Sequence, residues 1–300
     1  MRPRPHEAPS MLGAIIGDIV GSICEFQNHR SKSFPLFGPE ADFTDDTVCT
    51  VALADALLRN AEPAATLRAW CRRYPGRGYG GMFRRWIDDE LLGRYNSFGN
   101  GAAMRVSAAA LLGIDLRSTL LFADRITEIT HEHPEGMKGA RATVTAIWLA
   151  RAGESAETIR TTVAQRFGYD MNRTVDDIRP GYVFNETSQG TVPEALICAL
   201  TAIDFEDAIR NAISIGGDSD TVACIAGGVA EARFGIPEPI AAEGLRRLPG
   251  EMVDVVREAY RRAGREAALP SFEPSCGARS IRPCTPVESS SSGSRKGMRS

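Results

Sequence analysis

The chain has 300 residues, of which 43% are hydrophobic and 24% charged, and its net charge is −3 at neutral pH. These fractions are typical of a globular protein with a large buried core. The slightly acidic balance argues against a protein that coats nucleic acid, because such proteins usually carry a basic surface. The seven cysteines are scattered, without the spacing of a zinc site. They predict reduced thiols and a cytoplasmic location.

Two arginines near the start, Arg2 and Arg4, precede an apolar run at residues 11–24 and give the segment some likeness to a signal peptide. Asp18 interrupts the run, and no small-residue cleavage site follows it. The run is also too short to cross a bilayer, which takes about 20 apolar residues. We therefore expect neither secretion nor membrane association.

Composition divides the chain into three parts. Residues 1–10 are rich in proline and polar side chains, and residues 267–300 end in a Ser-rich, basic stretch. Neither end has enough apolar side chains to order itself, so we predict a disordered lead and a disordered tail. In residues 11–266, apolar side chains recur at helical spacing and strand-like alternation is nearly absent. This pattern predicts an all-α fold, a single compact domain of many helices.

The first predicted helix carries three glycines and one acidic side chain. Gly13, Gly17 and Gly21 are four residues apart and therefore lie on one face, where they would let a second helix approach closely. Asp18 lies within the same apolar run. An acidic group there is seldom buried without a partner or a metal, so Asp18 is either a functional group or a satisfied core carboxylate.

Loops rich in glycine and proline separate the predicted helices, and long loops are often functional. A polar, Pro-interrupted stretch at residues 26–41 is a candidate lid over a site. The other predicted breaks lie at residues 72–81, 93–101, 168–193 and 235–239.

Two short acidic segments, FTDDT and GGDSDT, stand where predicted helices begin. Each provides one threonine and two aspartates, namely Thr44, Asp45 and Asp46 in the first and Asp218, Asp220 and Thr221 in the second. Helix capping explains one such residue per helix but not three. If the two helix starts face each other, their four carboxylates repel unless cations neutralise them. Ligands that are all oxygens favour Mg²⁺ or Mn²⁺ over Zn²⁺, so the sequence predicts a metal centre with room for two ions.

A glycine-rich turn, SFGNGAAMR at residues 97–105, leads into an Ala-rich helix. Free backbone N–H groups at such a turn can bind phosphate oxygens, although a tight connection between helices would use the same residues. Tyr95 and Phe98 flank the turn and either stack on a ring of a ligand or belong to the core.

Two of the four histidines lie together in THEHPEG, at residues 130–136. The sequence offers no third ligand at a zinc spacing, so a histidine that contacts substrate is the better interpretation. His131, directly after the threonine, is preferred to His133.

Together the segments GAIIGDIVGSICE, FTDDT, GNGAAMR, THEHPEG and GGDSDT resemble, in the same order, the ADP-ribosylglycohydrolase family, of which dinitrogenase-reductase-activating glycohydrolase is the type. The likeness runs from about Met11 to Gly235. It implies an all-helical fold with two Mg²⁺ or Mn²⁺ ions bound by the six residues of the two acidic segments. It also implies that Glu25 lies near the metals and that ADP-ribose is bound by Gly99, Asn100, Gly101, Met104 and His131.

The resemblance implies a hydrolase that cleaves the glycosidic bond between ADP-ribose and a protein side chain, a nucleobase or a small molecule. Glu25, Asp45 and Asp46 are the candidate catalytic carboxylates, and the sequence does not choose among them. The expected partner is an ADP-ribosylated protein or small molecule, bound by a monomer without stable nucleic-acid or membrane binding. Two alternatives are a non-enzymatic ADP-ribose-binding protein on the same fold and another metal-dependent nucleotide hydrolase.

Overall fold

A computed structural model describes residues 10–270. Most of the predicted lead and tail therefore lies outside the described residues. Of these two segments only Ser10, which is buried, and residues 267–270 are described. The helices are α1 (Leu12–Gly21), α2 (Asp45–Arg59), α3 (Pro63–Arg73), α4 (Gly81–Asp88), α5 (Gly101–Met104), α6 (Ser107–Leu112), α7 (Leu116–Thr127), α8 (Pro134–Arg151), α9 (Ala156–Phe167), α10 (Val175–Ile178), α11 (Ser188–Thr201), α12 (Phe205–Ser214), α13 (Ser219–Phe234), α14 (Glu238–Arg246) and α15 (Gly250–Arg262), followed by a short 3-10 turn, Glu266–Ala268.

The predicted all-α fold is confirmed, because residues 10–270 contain no β-strand. A single isolated β-bridge joins Gly99 to Thr187. None of the helices in this part of the chain is both long and apolar enough to span a bilayer.

Two buried helices, α1 and α13, form the centre of the fold, and their backbones touch. A methyl group added at Gly13 would lie 2.7 Å from Cβ of Glu231, and one at Gly17 would lie 2.7 Å from the backbone nitrogen of Cys224. At Gly21 it would lie 2.5 Å from Cα of Asp220. The predicted close approach along this glycine face is therefore confirmed. The contact brings the end of α1 beside the start of α13.

Asp18 connects α1 to the start of α2. Its carboxylate is fully buried and accepts hydrogen bonds from the backbone and the hydroxyl of both Thr44 and Thr47. Two N–H groups and two hydroxyl groups satisfy the carboxylate, so Asp18 is a core group that orients the first acidic segment. The α1 helix thus positions the start of α2 through Asp18 and the start of α13 through its glycine face.

The predicted break at residues 168–193 is too long at its C-terminal end. The α11 helix begins at Ser188 and continues through Pro193, and α10 lies inside the same predicted loop. Proline removes one helical hydrogen bond and crowds the carbonyl four residues earlier. Buried contacts along α11, which include those of Val192 and Leu196, offset that cost.

The candidate lid at residues 26–41 is held by arginine side chains that donate to backbone carbonyls. Arg30 donates to the carbonyl of Ile215, at 2.6 Å, and Arg210 donates to that of Phe34, at 2.8 Å. The stretch therefore lies along α12 and the loop before α13, and its role as a lid stays a prediction.

Candidate functional site

A cleft of about 290 Å³ lies where the starts of α2 and α13 meet the end of α1. It contains most of the residues that the sequence singled out, which come from five separate segments of the chain. These are Glu25, Asp45, Asp46, Gly99, Asn100, Gly101, Met104, His131, Asp218, Asp220 and Thr221. Thr44 is the one predicted site residue that does not line the cleft.

Three carboxylates come close together on one wall of the cleft. Oxygen atoms of Glu25, Asp218 and Asp220 all lie within 4.8 Å of one another. Asp46 reaches the same region, because the hydroxyl of Thr221 donates to its Oδ1 at 3.3 Å. The two acidic segments, which lie far apart in the sequence, therefore form one cluster, and Glu25 joins it.

Helix capping does not explain this cluster. Asp218 occupies the N-cap position of α13, yet its side chain accepts no capping hydrogen bond. By contrast, Asp204 at the start of α12 accepts from the backbone of Asp207 at 2.7 Å. In addition, Oδ2 of Asp46 is buried and has no hydrogen-bond partner among residues 10–270. A buried carboxylate oxygen without a partner is costly and points to a ligand that satisfies it.

Burial and mutual repulsion disfavour the charged forms of these acids. Burial, together with the nearby charge of Asp220, raises the pKa of Glu25 to about 8. Burial also raises the pKa of Asp218 to about 6. For Asp45 and Asp46, burial followed by the charge of Asp220 raises the pKa well above its ordinary value. A divalent cation removes this penalty, because opposite charge favours the ionised acid.

The donor set fits a hard divalent cation. Carboxylate and hydroxyl oxygens are the ligands that Mg²⁺ and Mn²⁺ prefer, and neither histidine nor cysteine belongs to the cluster. The unsatisfied oxygen of Asp46 gives independent support. The acidic cluster can therefore bind a metal.

Thr44 has a different position from the other candidate ligands. Its hydroxyl donates to Oδ1 of Asp18 at 2.6 Å and accepts from the backbone of Asp46 at 3.3 Å. Thr44 is thus the N-cap of α2. Its hydroxyl oxygen keeps one lone pair that these two hydrogen bonds do not use.

Glycine is required at the start of the second acidic segment. Gly216 and Gly217 both have positive φ, at 72° and 74°. A methyl group on Gly217 would also clash with the ring of Tyr182. This left-handed turn directs the chain into α13, so that Asp218 faces the cleft.

The glycine-rich turn before α5 forms a neighbouring wall. The backbone of Asn100 donates to the carbonyl of Glu186 at 2.7 Å. Its side chain donates to Oδ2 of Asp218 at 2.6 Å and to the hydroxyl of Thr191 at 3.2 Å. Asn100 therefore connects the glycine turn to the acidic cluster.

His131 packs against the same turn. Methyl groups added at Gly99 and Gly101 would lie 3.5 and 3.3 Å from its Nε2 atom, so this edge of the ring faces the turn. Burial, reinforced by the positive charge of Arg105, lowers the pKa of His131 well below its usual range. His131 is therefore neutral at physiological pH. His133 instead caps α8 by accepting from the backbone of Glu135.

The sequence left open whether Tyr95 and Phe98 stack on a ligand or belong to the core. Tyr95 lines the cleft, with its ring centroid 6.3 Å from that of His131. Phe98 is 46% exposed and contacts His133, with ring centroids 5.3 Å apart. Only Tyr95 therefore faces the cleft directly.

Several lining residues were not predicted. Gly78, Gly80, Gly81, Met82 and Phe83 come from the loop before α4 and its first turn, Phe184 and Glu186 come from the loop before α11, and Ser97 and Arg105 flank the glycine turn. The loops before α4 and α11 carry no local signal that they meet at a site, because their proximity depends on how distant helices pack. Arg105 stands in the quoted motif GNGAAMR, which could have drawn attention to it.

Comparison with known proteins gives consistent matches. A family model described as ADP-ribosylglycohydrolase matches residues 8–269. The chain is 24% identical to ADP-ribosylhydrolase ARH3 of Mus musculus, in an alignment that covers 86% of this chain and 91% of the mouse protein. It is 25% identical to ADP-ribosylarginine hydrolase Tri1 of Pseudomonas putida (strain GB-1), with 76% of this chain and 70% of that protein covered. A solved structure of an ADP-ribosylglycohydrolase-related protein complex superposes with a TM-score of 0.66 at 25% identity, covering 86% of this chain and 98% of that one.

Proposed function

The chain belongs to the ADP-ribosylglycohydrolase family, and from this premise we propose that it is a metal-dependent enzyme that hydrolyses the glycosidic bond between ADP-ribose and an acceptor. The products are free ADP-ribose and the unmodified acceptor, which is a protein side chain, a nucleobase or a small molecule. A divalent cation, Mg²⁺ or Mn²⁺, is the proposed cofactor, with two ions in each site.

The observation that carries this proposal is the meeting of two acidic helix starts in one cleft, with more carboxylates than helix capping uses. Asp218 makes no capping hydrogen bond, and Asp46 has a buried oxygen without a partner. A scaffold that only bound ADP-ribose would have no use for four repelling aspartates. The cluster is therefore best explained as machinery for hydrolysis.

We propose that the cations are held by Asp45, Asp46, Asp218, Asp220 and Thr221, with Thr44 contributing its remaining lone pair. When bound, such ions orient ribose hydroxyls and lower the pKa of water. The protein supplies the fixed geometry. Asp18 holds the start of α2, and the backbone contact at Gly21 holds the start of α13.

Glu25 is the proposed proton acceptor among the three candidate carboxylates. It lies in the turn after α1 rather than on α2 or α13, and its oxygen is within 4.8 Å of those of Asp218 and Asp220. Burial and neighbouring acids raise the pKa of Glu25 to about 8, and bound cations would restore its charged form. A carboxylate in this position can take the proton of an attacking water, while Asp45 and Asp46 serve as ligands of the cations.

The other wall of the cleft suits the rest of the ligand. We propose that the backbone around Gly99 and Gly101, with Nε2 of His131, binds the diphosphate, and that Met104 packs beside it. The side chain of Asn100 links this wall to Asp218 and so fixes the separation between diphosphate and ribose.

A panel of defined conjugates tests this function. ADP-ribose linked to arginine, to serine or to a nucleobase is incubated with the protein, with and without Mg²⁺ or Mn²⁺, and the products are identified by mass spectrometry. We expect metal-dependent release of free ADP-ribose from at least one conjugate. Release of phosphate instead would identify another nucleotide hydrolase, and binding without turnover would identify an ADP-ribose-binding protein.

We propose that the protein acts in the cytoplasm as a monomer on ADP-ribosylated proteins or small molecules. The five cysteines within residues 10–270 are free thiols, as expected for a reducing compartment.

A further inference from the structure

Arg105 is a buried cation that no carboxylate in the described part of the chain balances. It is 1% exposed, and none of the ion pairs among residues 10–270 includes it. Its Nε atom has no hydrogen-bond partner in this part of the chain, and its guanidinium carbon lies 5.9 Å from the centroid of the Phe83 ring. Burying an unbalanced charge is costly, so this arginine calls for an explanation beyond packing.

The terminal nitrogen of Arg105 is directed at His131. Nη2 donates to the hydroxyl of Thr130 and lies 2.9 Å from Nδ1 of His131. A guanidinium group has donors only, so Nδ1 must be the acceptor and cannot carry the proton. The ring is neutral, because burial and the charge of Arg105 lower the pKa of His131 well below its usual range. The single ring proton therefore belongs to Nε2.

Nε2 is the atom that faces Gly99 and Gly101 in the cleft. A protonated Nε2 is a hydrogen-bond donor, whereas the other tautomer would present a lone pair to the ligand. An anionic oxygen of a ligand, which can only accept, would be attracted by the first form and repelled by the second.

We propose that Arg105 is a positioning residue, which fixes His131 as the Nε2–H tautomer and thereby makes it a permanent donor toward the anionic part of the ligand. This inference rests on the proposed function only for the identity of that ligand, the diphosphate of ADP-ribose. Arg105 itself need not touch the ligand. Its charge also lies beside the site where the negative charge of the diphosphate would be held.

The tautomer can be measured on the free protein. Long-range ¹⁵N–¹H correlation spectra distinguish a protonated ring nitrogen from an unprotonated one, and the chain has only four histidines. A His131→Asn variant assigns the signals. We expect His131 to show an unprotonated Nδ1 and a protonated Nε2 at neutral pH. A proton on Nδ1, or on both nitrogens, would overturn the proposal without any arginine variant.

Two variants of Arg105 test whether it determines the tautomer of His131. In Arg105→Lys the ammonium group still only donates, so we expect the Nε2–H tautomer to persist. In Arg105→Met only the hydroxyl of Thr130, 2.8 Å from Nδ1, remains beside the ring, and a hydroxyl can donate or accept. We therefore expect a mixture of tautomers. An unchanged spectrum in Arg105→Met would contradict the proposal, and if this variant does not fold, the wild-type and lysine spectra decide.

Arg151→Met is the matched control. Arg151 is also a buried arginine, it donates to the backbone carbonyls of Ala110 and Leu111, and it does not line the cleft. Losing it should destabilise the protein and leave the His131 spectrum unchanged. A tautomer change in this control would show that loss of stability alone alters the His131 tautomer. The specific role proposed for Arg105 would then be rejected.

Ligand binding gives a second readout. In Arg105→Met the affinity for ADP-ribose should fall by the inverse of the remaining fraction of the Nε2–H tautomer, about twofold for an equal mixture, and further because the positive charge beside the diphosphate is lost; KM should rise more than kcat falls. The lysine variant should recover part of the affinity. Equal affinity in Arg105→Met and wild type would contradict the proposal. The two proposals can fail separately. If wild type has the expected tautomer but hydrolyses no conjugate, the proposed function fails and the assignment of Arg105 stands. If wild type hydrolyses a conjugate but carries the His131 proton on Nδ1, only the inference about Arg105 fails.

Discussion

Replacing Gly21 with alanine should push two helices apart at the site itself. The added methyl group would lie 2.5 Å from Cα of Asp220 and 2.6 Å from the carbonyl oxygen of Ser219, whereas real Cβ atoms essentially never approach within 3.0 Å. The neighbours are backbone atoms and cannot rotate away. The start of α13 must therefore move by at least about 0.5 Å, the tolerance within which a catalytic constellation is held.

The cost of this movement can be estimated in stability and in rate. Overpacking of this kind destabilises a protein by about 1–3 kcal/mol. For a domain of this size, that corresponds to a melting temperature lower by roughly 2–10 °C. A displacement of about 1 Å at a reacting group can cost a hundredfold in rate, so we expect about a tenfold loss of turnover.

Gly250→Ala is the matched control for Gly21→Ala. Gly250 is the first residue of α15, and within residues 10–270 no atom outside its own helix turn and chain neighbours lies within 4 Å of its added methyl group. There alanine should stabilise the protein by about 0.4–1 kcal/mol. Thermal unfolding followed by circular dichroism, with ADP-ribose release measured in parallel, compares the two variants. If Gly21→Ala unfolds at the same temperature as Gly250→Ala and retains full turnover, the described contact between α1 and α13 is wrong.

Three further predictions concern charged groups. Because the clustered aspartates repel, EDTA should lower the melting temperature and Mg²⁺ or Mn²⁺ should restore it. The bound metal should add about 2.7 kcal/mol of stability at a concentration of a hundred times Kd. A melting temperature that changes with neither EDTA nor metal would exclude a tight metal centre. Glu25→Ala should keep the helical circular dichroism spectrum and bind at least one metal by calorimetry, yet lose most turnover, and full turnover would make Glu25 an ordinary residue in a turn. Glu231, which accepts from the backbone of Gly13 at 2.6 Å, is buried, and burial raises its pKa to about 7 from an ordinary 4.5. The stabilising contribution of its protonated form should therefore be complete below pH 4.5 and be lost as the pH rises through 7. In wild type this adds a slope of up to about 1.4 kcal/mol per pH unit to the free energy of unfolding, measured with urea, and Glu231→Gln should lack it. Identical slopes in the two proteins would contradict the shifted pKa.

How much of the site the sequence reveals depends on whether the signal is local. The acidic segments and the glycine turn are contiguous, so their composition identified them. The face made by Gly17 and Gly21 even indicated which helix must receive a close neighbour. The sequence did not reveal that this neighbour is α13, nor that Asp18 is fully satisfied by Thr44 and Thr47.

The residues that sequence reasoning missed lack such a local signal. Phe184 and Glu186 lie beside the glycine turn because a backbone bridge joins Gly99 to Thr187, a contact between segments nearly ninety positions apart. The start of α11 was misplaced for a different reason. Proline usually marks the end or the first turn of a helix, but Pro193 lies inside one that tertiary packing stabilises.

The most direct test of the central claim compares Asp220→Asn with wild type for release of ADP-ribose in saturating Mg²⁺. The substitution is nearly isosteric, and the N-cap of α13 is Asp218 rather than Asp220, so the fold should be unaffected. Asp204→Asn, at a genuine N-cap, controls for helix stability. If Asp220 is a ligand of a hard cation, its variant should keep the wild-type circular dichroism spectrum and lose activity by orders of magnitude, while the control stays active. Near-normal turnover by Asp220→Asn would contradict the assignment of this cluster as the metal centre.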